Sequence, residues 1–73
     1  MLYYKKNGTI FYQFNPSDKS YTELFDNGLQ FRMMRIYESR LYDDSMVRMV
    51  EHQFEESSEA EFKAKMESIK AKI

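Results

Sequence analysis

The sequence has no cysteine and no tryptophan, and it contains one histidine, one proline and two glycines in 73 residues. Without cysteine there is no disulfide framework, no thiolate zinc site and no cysteine nucleophile. Small secreted domains commonly depend on such staples, so an intracellular, cytoplasmic home is the expectation. No apolar run approaches the roughly 20 residues that cross a bilayer. The opening Met1-Leu2-Tyr3-Tyr4-Lys5-Lys6 also lacks the apolar stretch of a signal peptide, so neither export nor membrane insertion is expected. Both glycines follow an asparagine, which leaves none for a phosphate-cradling loop, and no GxGxxG or GxxxxGK spacing occurs. His52 stands alone, without the HxxxH or HExxH spacing that builds a metal site. Asp43-Asp44 reads as turn chemistry, since adjacent strand residues point to opposite faces. No nucleophile, acid–base pair or metal cage is assembled, so the chain reads as non-enzymatic, without cofactor or metal.

Excess charge of either sign is missing too. Lys and Arg total 11 against 12 Asp and Glu, a net charge of -1, so no global basic field draws the chain to nucleic acid. What is present is 42% hydrophobic, 16% aromatic and 32% charged, which is too apolar for disorder and too charged for lipid. The length bounds the answer to one small domain over residues 1–73. A core of that size supplies roughly 3 to 5 kcal/mol, and self-association is a common source of further stability, so a homodimer is expected.

Asn7-Gly8 separates Leu2–Lys6 from a run ending at Phe14, and Asn-Gly readily takes the two positive φ angles of a type I′ turn. A two-residue loop there sets Lys6 against Thr9, Tyr4 against Phe11, Tyr3 against Tyr12 and Leu2 against Gln13. Aromatic residues then lie on both faces, so this hairpin is either covered twice or offers rings to a partner. Asn15-Pro16-Ser17-Asp18-Lys19 breaks the chain. Asn27-Gly28 predicts a second hairpin, with Leu24 opposite Phe31, Thr22 opposite Met33 and Glu23 opposite Arg32. A third turn at Tyr42-Asp43-Asp44-Ser45 would lead to a last strand.

The expected architecture is α+β: an antiparallel β meander of four to five strands, about residues 2–6, 9–14, 20–25, 29–41 and 46–53, followed by one C-terminal α-helix at about 59–72. Within 29–50 a helical reading competes, because Met33, Ile36 or Tyr37, and Leu41 also recur at helical spacing. The C-terminal helix is marked by Ser58 and Glu61 at capping-box spacing and by lysines at its end. Phe62, Met66, Ile69 and Ile73 form its apolar stripe. Glu59–Lys63 and Glu61–Lys65 are acid-first pairs on the opposite, solvated side. His52 and the carboxylates around it read as a solvated junction.

The sheet mixes rings with arginines, and the partner-binding expectation falls on Tyr12, Arg32, Arg35, Tyr37, Arg40 and Arg48. Tyr and Arg dominate protein-binding hot spots. The same residue types also build cores, and they form the stacking platforms of single-stranded nucleic-acid binders. The order of a β meander and one C-terminal helix resembles the PC4-like single-stranded DNA-binding fold, in which helices help to pair two subunits. That resemblance implies nucleic-acid binding by the sheet, against a charge balance that is net negative here. The leading expectation is a self-associating interaction protein that modulates or inhibits a macromolecular partner, with a protein favoured over nucleic acid. Its size and lack of chemistry suit an accessory protein of a phage or other mobile element.

Overall fold

Both Asn-Gly pairs reverse the chain between antiparallel strands, as their conformational freedom allows. The computed structural model describes residues 1–36 and 44–72. Strands β1 (Leu2–Lys6), β2 (Ile10–Asn15), β3 (Ser20–Asp26) and β4 (Phe31–Ile36) precede helix α1 (Asp44–Gln53), the short strand β5 (Glu55–Glu56) and helix α2 (Glu59–Lys70). They form one five-stranded sheet in the order β4-β3-β2-β1-β5, antiparallel throughout. The expected α+β architecture is therefore present, with a second helix inserted before the last strand. That insertion interrupts the element order on which the PC4-like resemblance rested.

Residues 46–53, expected as a strand, belong to α1. Neither alternate set, Met46-Arg48-Val50-His52 or Val47-Met49-Glu51-Gln53, is consistently apolar, so a period of two gives no clean face. Helical spacing brings Met46, Val47 and Val50 together instead, and Val50 is buried against the sheet with the other two beside it. Of the turn expected at residues 42–45, Tyr42 and Asp43 lie outside the described residues, while Asp44 and Ser45 open α1. The strand expected over 29–41 begins at Phe31, and its residues 37–41 lie outside the described residues.

Both hairpin registers differ from the two-residue expectation. In the first, Asn7 (φ 53°) and Gly8 (φ 68°) take the positive angles of the turn, and the Thr9 N–H donates to the Lys6 carbonyl at 3.0 Å. Ile10, not Thr9, then stands opposite Lys6, so Thr9 is an extra residue and every pair moves by one: Tyr4 faces Tyr12 and Leu2 faces Phe14. In the second, only Gly28 has positive φ (91°). Asn27 instead uses its side-chain oxygen to accept from the N–H groups of Leu29 (2.9 Å) and Gln30 (2.7 Å). The loop is thereby lengthened and the register moves by two, so Leu24 faces Met33 and Glu23 faces Met34. A shift of two preserves the face on which each side chain lies, whereas a shift of one does not.

The pleat sends alternate residues into two cores. Phe11 and Leu24 meet Phe62 and Ile69 of α2, with Tyr3 and Met66 packed beside them. Phe14 and Tyr21 meet Val50 of α1 on the other face, with Tyr4, Tyr12 and Phe54 around them. The aromatic first hairpin is thus covered on both sides. Helix α2 follows its sequence signals: Ser58 is extended at the N-cap and accepts from the Glu61 N–H at 3.1 Å. Glu59 and Lys63 pair at 2.9 Å. The expected Glu61–Lys65 pair does not form, because Glu61 binds Lys5 of β1 and Lys65 leans over the Phe11 ring toward Asp26. The stripe residue Ile73 lies outside the described residues. Strand β5 had no sequence signal, since two glutamates carry little strand propensity. It pairs with β1 because the short connection from α1 to α2 runs along that edge, where the Ser57 N–H donates to Tyr3 O at 2.9 Å.

Candidate interaction surface

Of the residues expected to bind a partner, Tyr37 and Arg40 lie outside the described residues. Tyr12 is part of the α1-side core. Its ring stacks on Phe14 at 5.5 Å between centroids, tilts against Phe54 at 5.4 Å, and its hydroxyl donates to Glu23 Oε2 at 3.0 Å. Burial, reinforced by the Glu23 charge, pushes the Tyr12 hydroxyl up to about 12. Tyr4 is pushed up to about 12 as well, by burial first and then by its 3.0 Å hydrogen bond to Glu51. Both therefore stay protonated donors near neutrality. Arg48 is exposed on α1. Among the described residues Arg32 and Arg35 share β4 and are both exposed, but the three-residue spacing sets them on opposite faces.

Arg32 is held rather than loose. Its Nε and Nη2 donate to Glu23 Oε1 at 3.1 and 2.8 Å, and its guanidinium lies 5.0 Å from the Phe25 ring centroid. The Glu23–Arg32 contact expected from the sequence is thus present, but across a diagonal, since Met34 is directly opposite Glu23. At the turn end of β3, buried Asp26 accepts from the Gly28 N–H at 2.9 Å and binds Lys72 beyond α2. Lys72 foremost, and then the Gly28 N–H, hold its carboxyl below the usual aspartate range.

The residues that sequence reasoning did not single out as a group are apolar. Leu29, Phe31, Met33 and Met34 are 92%, 40%, 37% and 40% exposed, while the other exposed large apolar residues among those described, Met1, Leu2 and Met49, are scattered. The signal was available in Phe31-Arg32-Met33-Met34-Arg35: apolar and cationic residues fall on both faces, unlike a strand with one wet side.

Strand β4 ends the sheet, so it also carries main-chain groups without a strand partner among the described residues. The Asn27 N–H donates to Gln30 O at 3.1 Å, and Asp26 N–H turns the other way, to Thr9 O at 2.9 Å. Antiparallel alternation then has Arg32, Met34 and Ile36 bond to β3, while the N–H and C=O groups of Phe31, Met33 and Arg35 point away from β3. Of the sheet rings that a stacking platform would use, Tyr3, Tyr4, Phe11, Tyr12 and Phe14 are instead packed in the two helix-covered cores.

Among the described residues no pocket opens, no group of three potential metal ligands gathers, and no helix is long and apolar enough to cross a membrane. No known protein family matches the chain, and no curated protein or solved structure matches it either.

Proposed function

We propose that this protein is a non-enzymatic, cytoplasmic interaction protein that modulates or inhibits a macromolecular partner through β4 and the loop before it. The observation that carries this reading is the meeting, on one edge strand, of exposed Leu29, Phe31, Met33 and Met34 with Arg32 and Arg35. An uncovered apolar edge invites strand addition, which is why proteins usually charge, shorten or cover their edges. In strand addition the main chain supplies hydrogen bonds and alternate side chains supply selectivity. Met and Arg are both enriched where proteins meet. The small size suits an accessory or inhibitor role, such as a mobile element would encode.

The test is capture from nuclease-treated source lysate by the wild type and by a Phe31→Ser, Arg35→Glu double variant, each verified as folded. A protein retained by the wild type and lost with the variant is the expected result. Capture that is indifferent to these substitutions removes β4 from the reading, and capture abolished by nuclease replaces it with nucleic-acid binding.

A further inference from the structure

We infer that Asn7 is a site of spontaneous deamidation, passing through a succinimide to aspartate and isoaspartate, and that the fold protects Asn27 from the same reaction. The inference concerns the loop between β1 and β2 and is independent of the reading of β4.

In this reaction the Gly8 nitrogen gives its proton to solvent base, and its electron pair forms a bond to Cγ of Asn7. The Cγ–Nδ2 bond breaks and Nδ2 leaves as ammonia, so a five-membered imide remains. Water then opens the imide. Attack at Cγ gives aspartate, attack at the main-chain carbonyl carbon gives isoaspartate, and nothing is oxidised or reduced. A following glycine favours ring closure because no Cβ obstructs the approach of its nitrogen. The chain has three asparagines, and two of them precede glycine. The third, Asn15, precedes Pro16, whose nitrogen carries no proton to lose.

Access does not separate Asn7 from Asn27. Both asparagines and both glycines are exposed, and nothing stands within 4 Å of where a side chain on Gly8 or Gly28 would begin. Hydrogen bonding does separate them. Ring closure turns the asparagine about its Cα–C and Cα–Cβ bonds, so whatever holds the carboxamide or the next N–H must let go. Asn27 Oδ1 accepts from the N–H groups of Leu29 (2.9 Å) and Gln30 (2.7 Å), and the Asn27 N–H donates to Gln30 O at 3.1 Å. The Gly28 N–H donates to Asp26 Oδ1 at 2.9 Å. That bond aims the nitrogen at a carboxylate rather than at Cγ, and Lys72 keeps the carboxylate a weak base. By contrast, the Asn7 carboxamide and the Gly8 N–H have no hydrogen-bond partner among the described residues. This turn is tied only by the Thr9 N–H on Lys6 O at 3.0 Å and the long 3.4 Å contact of Thr9 Oγ1 with Asn7 O. The additional bonds at Asn27, each of modest net strength, make its reaction slower than that of Asn7 by about tenfold or more. Isoaspartate at position 7 would lengthen the main chain by one methylene inside the turn that sets the β1–β2 register. Either product adds one negative charge to a chain whose net charge is -1.

Timed incubation of the full chain in mildly alkaline buffer, followed by digestion after lysine and arginine and by mass spectrometry, tests this. Asn7 falls in residues 7–19 and Asn27 in residues 20–32. In the folded chain the first peptide should gain the mass of an amide-to-acid conversion about tenfold or more faster than the second. Isoaspartate should be among its products, detected by enzymatic isoaspartyl methylation. In the urea-unfolded chain, where these hydrogen bonds are absent, most of that difference should vanish. Equal or faster conversion at Asn27 in the folded chain overturns the inference, since its hydrogen bonds would then activate the amide rather than restrain it. So does a folded Asn7 that stays intact while the unfolded chain converts, or a difference that persists in urea and therefore belongs to the flanking residues. Aspartate without isoaspartate at position 7 would mean direct hydrolysis and rules out the succinimide.

Discussion

The two hairpins start from the same Asn-Gly pair and end in different environments. In the first, Asn7 adopts the left-handed backbone itself; in the second, Asn27 keeps an ordinary backbone and spends its side-chain oxygen on two N–H groups. The first hairpin is clamped between α1 and α2, whereas the outer strand of the second is exposed from Phe31 to Arg35. One dipeptide thus specifies that the chain turns, without specifying the register or what will cover the strands it joins.

The largest expected difference between them is in packing. Phe14 of β2 is 0% exposed, and Phe14→Ala should cost about 3–5 kcal/mol in urea unfolding, comparable with the stability of so small a domain. Phe31 of β4 is 40% exposed, and Phe31→Ala should cost about 1 kcal/mol or less. Equal losses would show that β4 is as well covered as β2. Phe62→Ala, which empties the α2-side core, should resemble Phe14→Ala in size.

A smaller effect separates the loops. Asn7→Gly should be close to neutral, because glycine takes positive φ freely and the strained backbone is all that Asn7 accommodates. Asn27→Gly should cost about 1 kcal/mol, because two N–H groups lose their acceptor. Thermal unfolding of the pair checks this, and equal effects would mean that both loops use asparagine alike.

The second hairpin should also carry an acid sensitivity that the first lacks. The Asp26 carboxyl is held below its ordinary value of 3.8 in the folded chain, mainly by Lys72. Between the ordinary and the lowered value the unfolded chain binds the extra proton, so this contribution is present above 3.8 and is lost as the pH falls through the lowered value. The unfolding midpoint of Asp26→Asn should accordingly fall less steeply than that of the wild type as acid is added below 3.8. The smallest effect belongs to Arg32→Ala. Its guanidinium is largely exposed, and losing the pair with Glu23 should cost under about 1 kcal/mol in the same assay.

Much of the fold was legible because its signals are local. The two Asn-Gly turns, the spacing from Ser58 to Glu61 and the Phe62–Met66–Ile69 stripe act within a few residues of themselves, and each appears in the structure at its expected place. Helix α1 was misread because Met46–Gln53 is short and mixed, so that its period emerges only when Val50 finds Phe14 and Tyr21 to pack on. The candidate site was half legible. Arg32, Arg35 and the Glu23 contact could be anticipated from hairpin pairing, since a register error of two leaves the faces intact. That Tyr12 would be enclosed and Met33 exposed could not, because both depend on where the helices fall.

By itself the sequence determined two chain reversals, a mixed sheet-and-helix composition, a capped C-terminal helix with one apolar face, and the absence of cysteine chemistry. All of these follow from backbone preferences and short-range periodicity. Tertiary structure alone decided the hairpin registers, the pairing of Glu55–Glu56 with β1, and the division of one aromatic set between two helix-covered cores. It also decided that β4, chemically as apolar as its neighbours, became an end strand of the sheet among the described residues, with Phe31 to Arg35 exposed. The physical reason is that burial belongs to a position in the assembled sheet: α1 and α2 enclose the strands at its centre, and β4 at its end keeps Phe31 to Arg35 exposed.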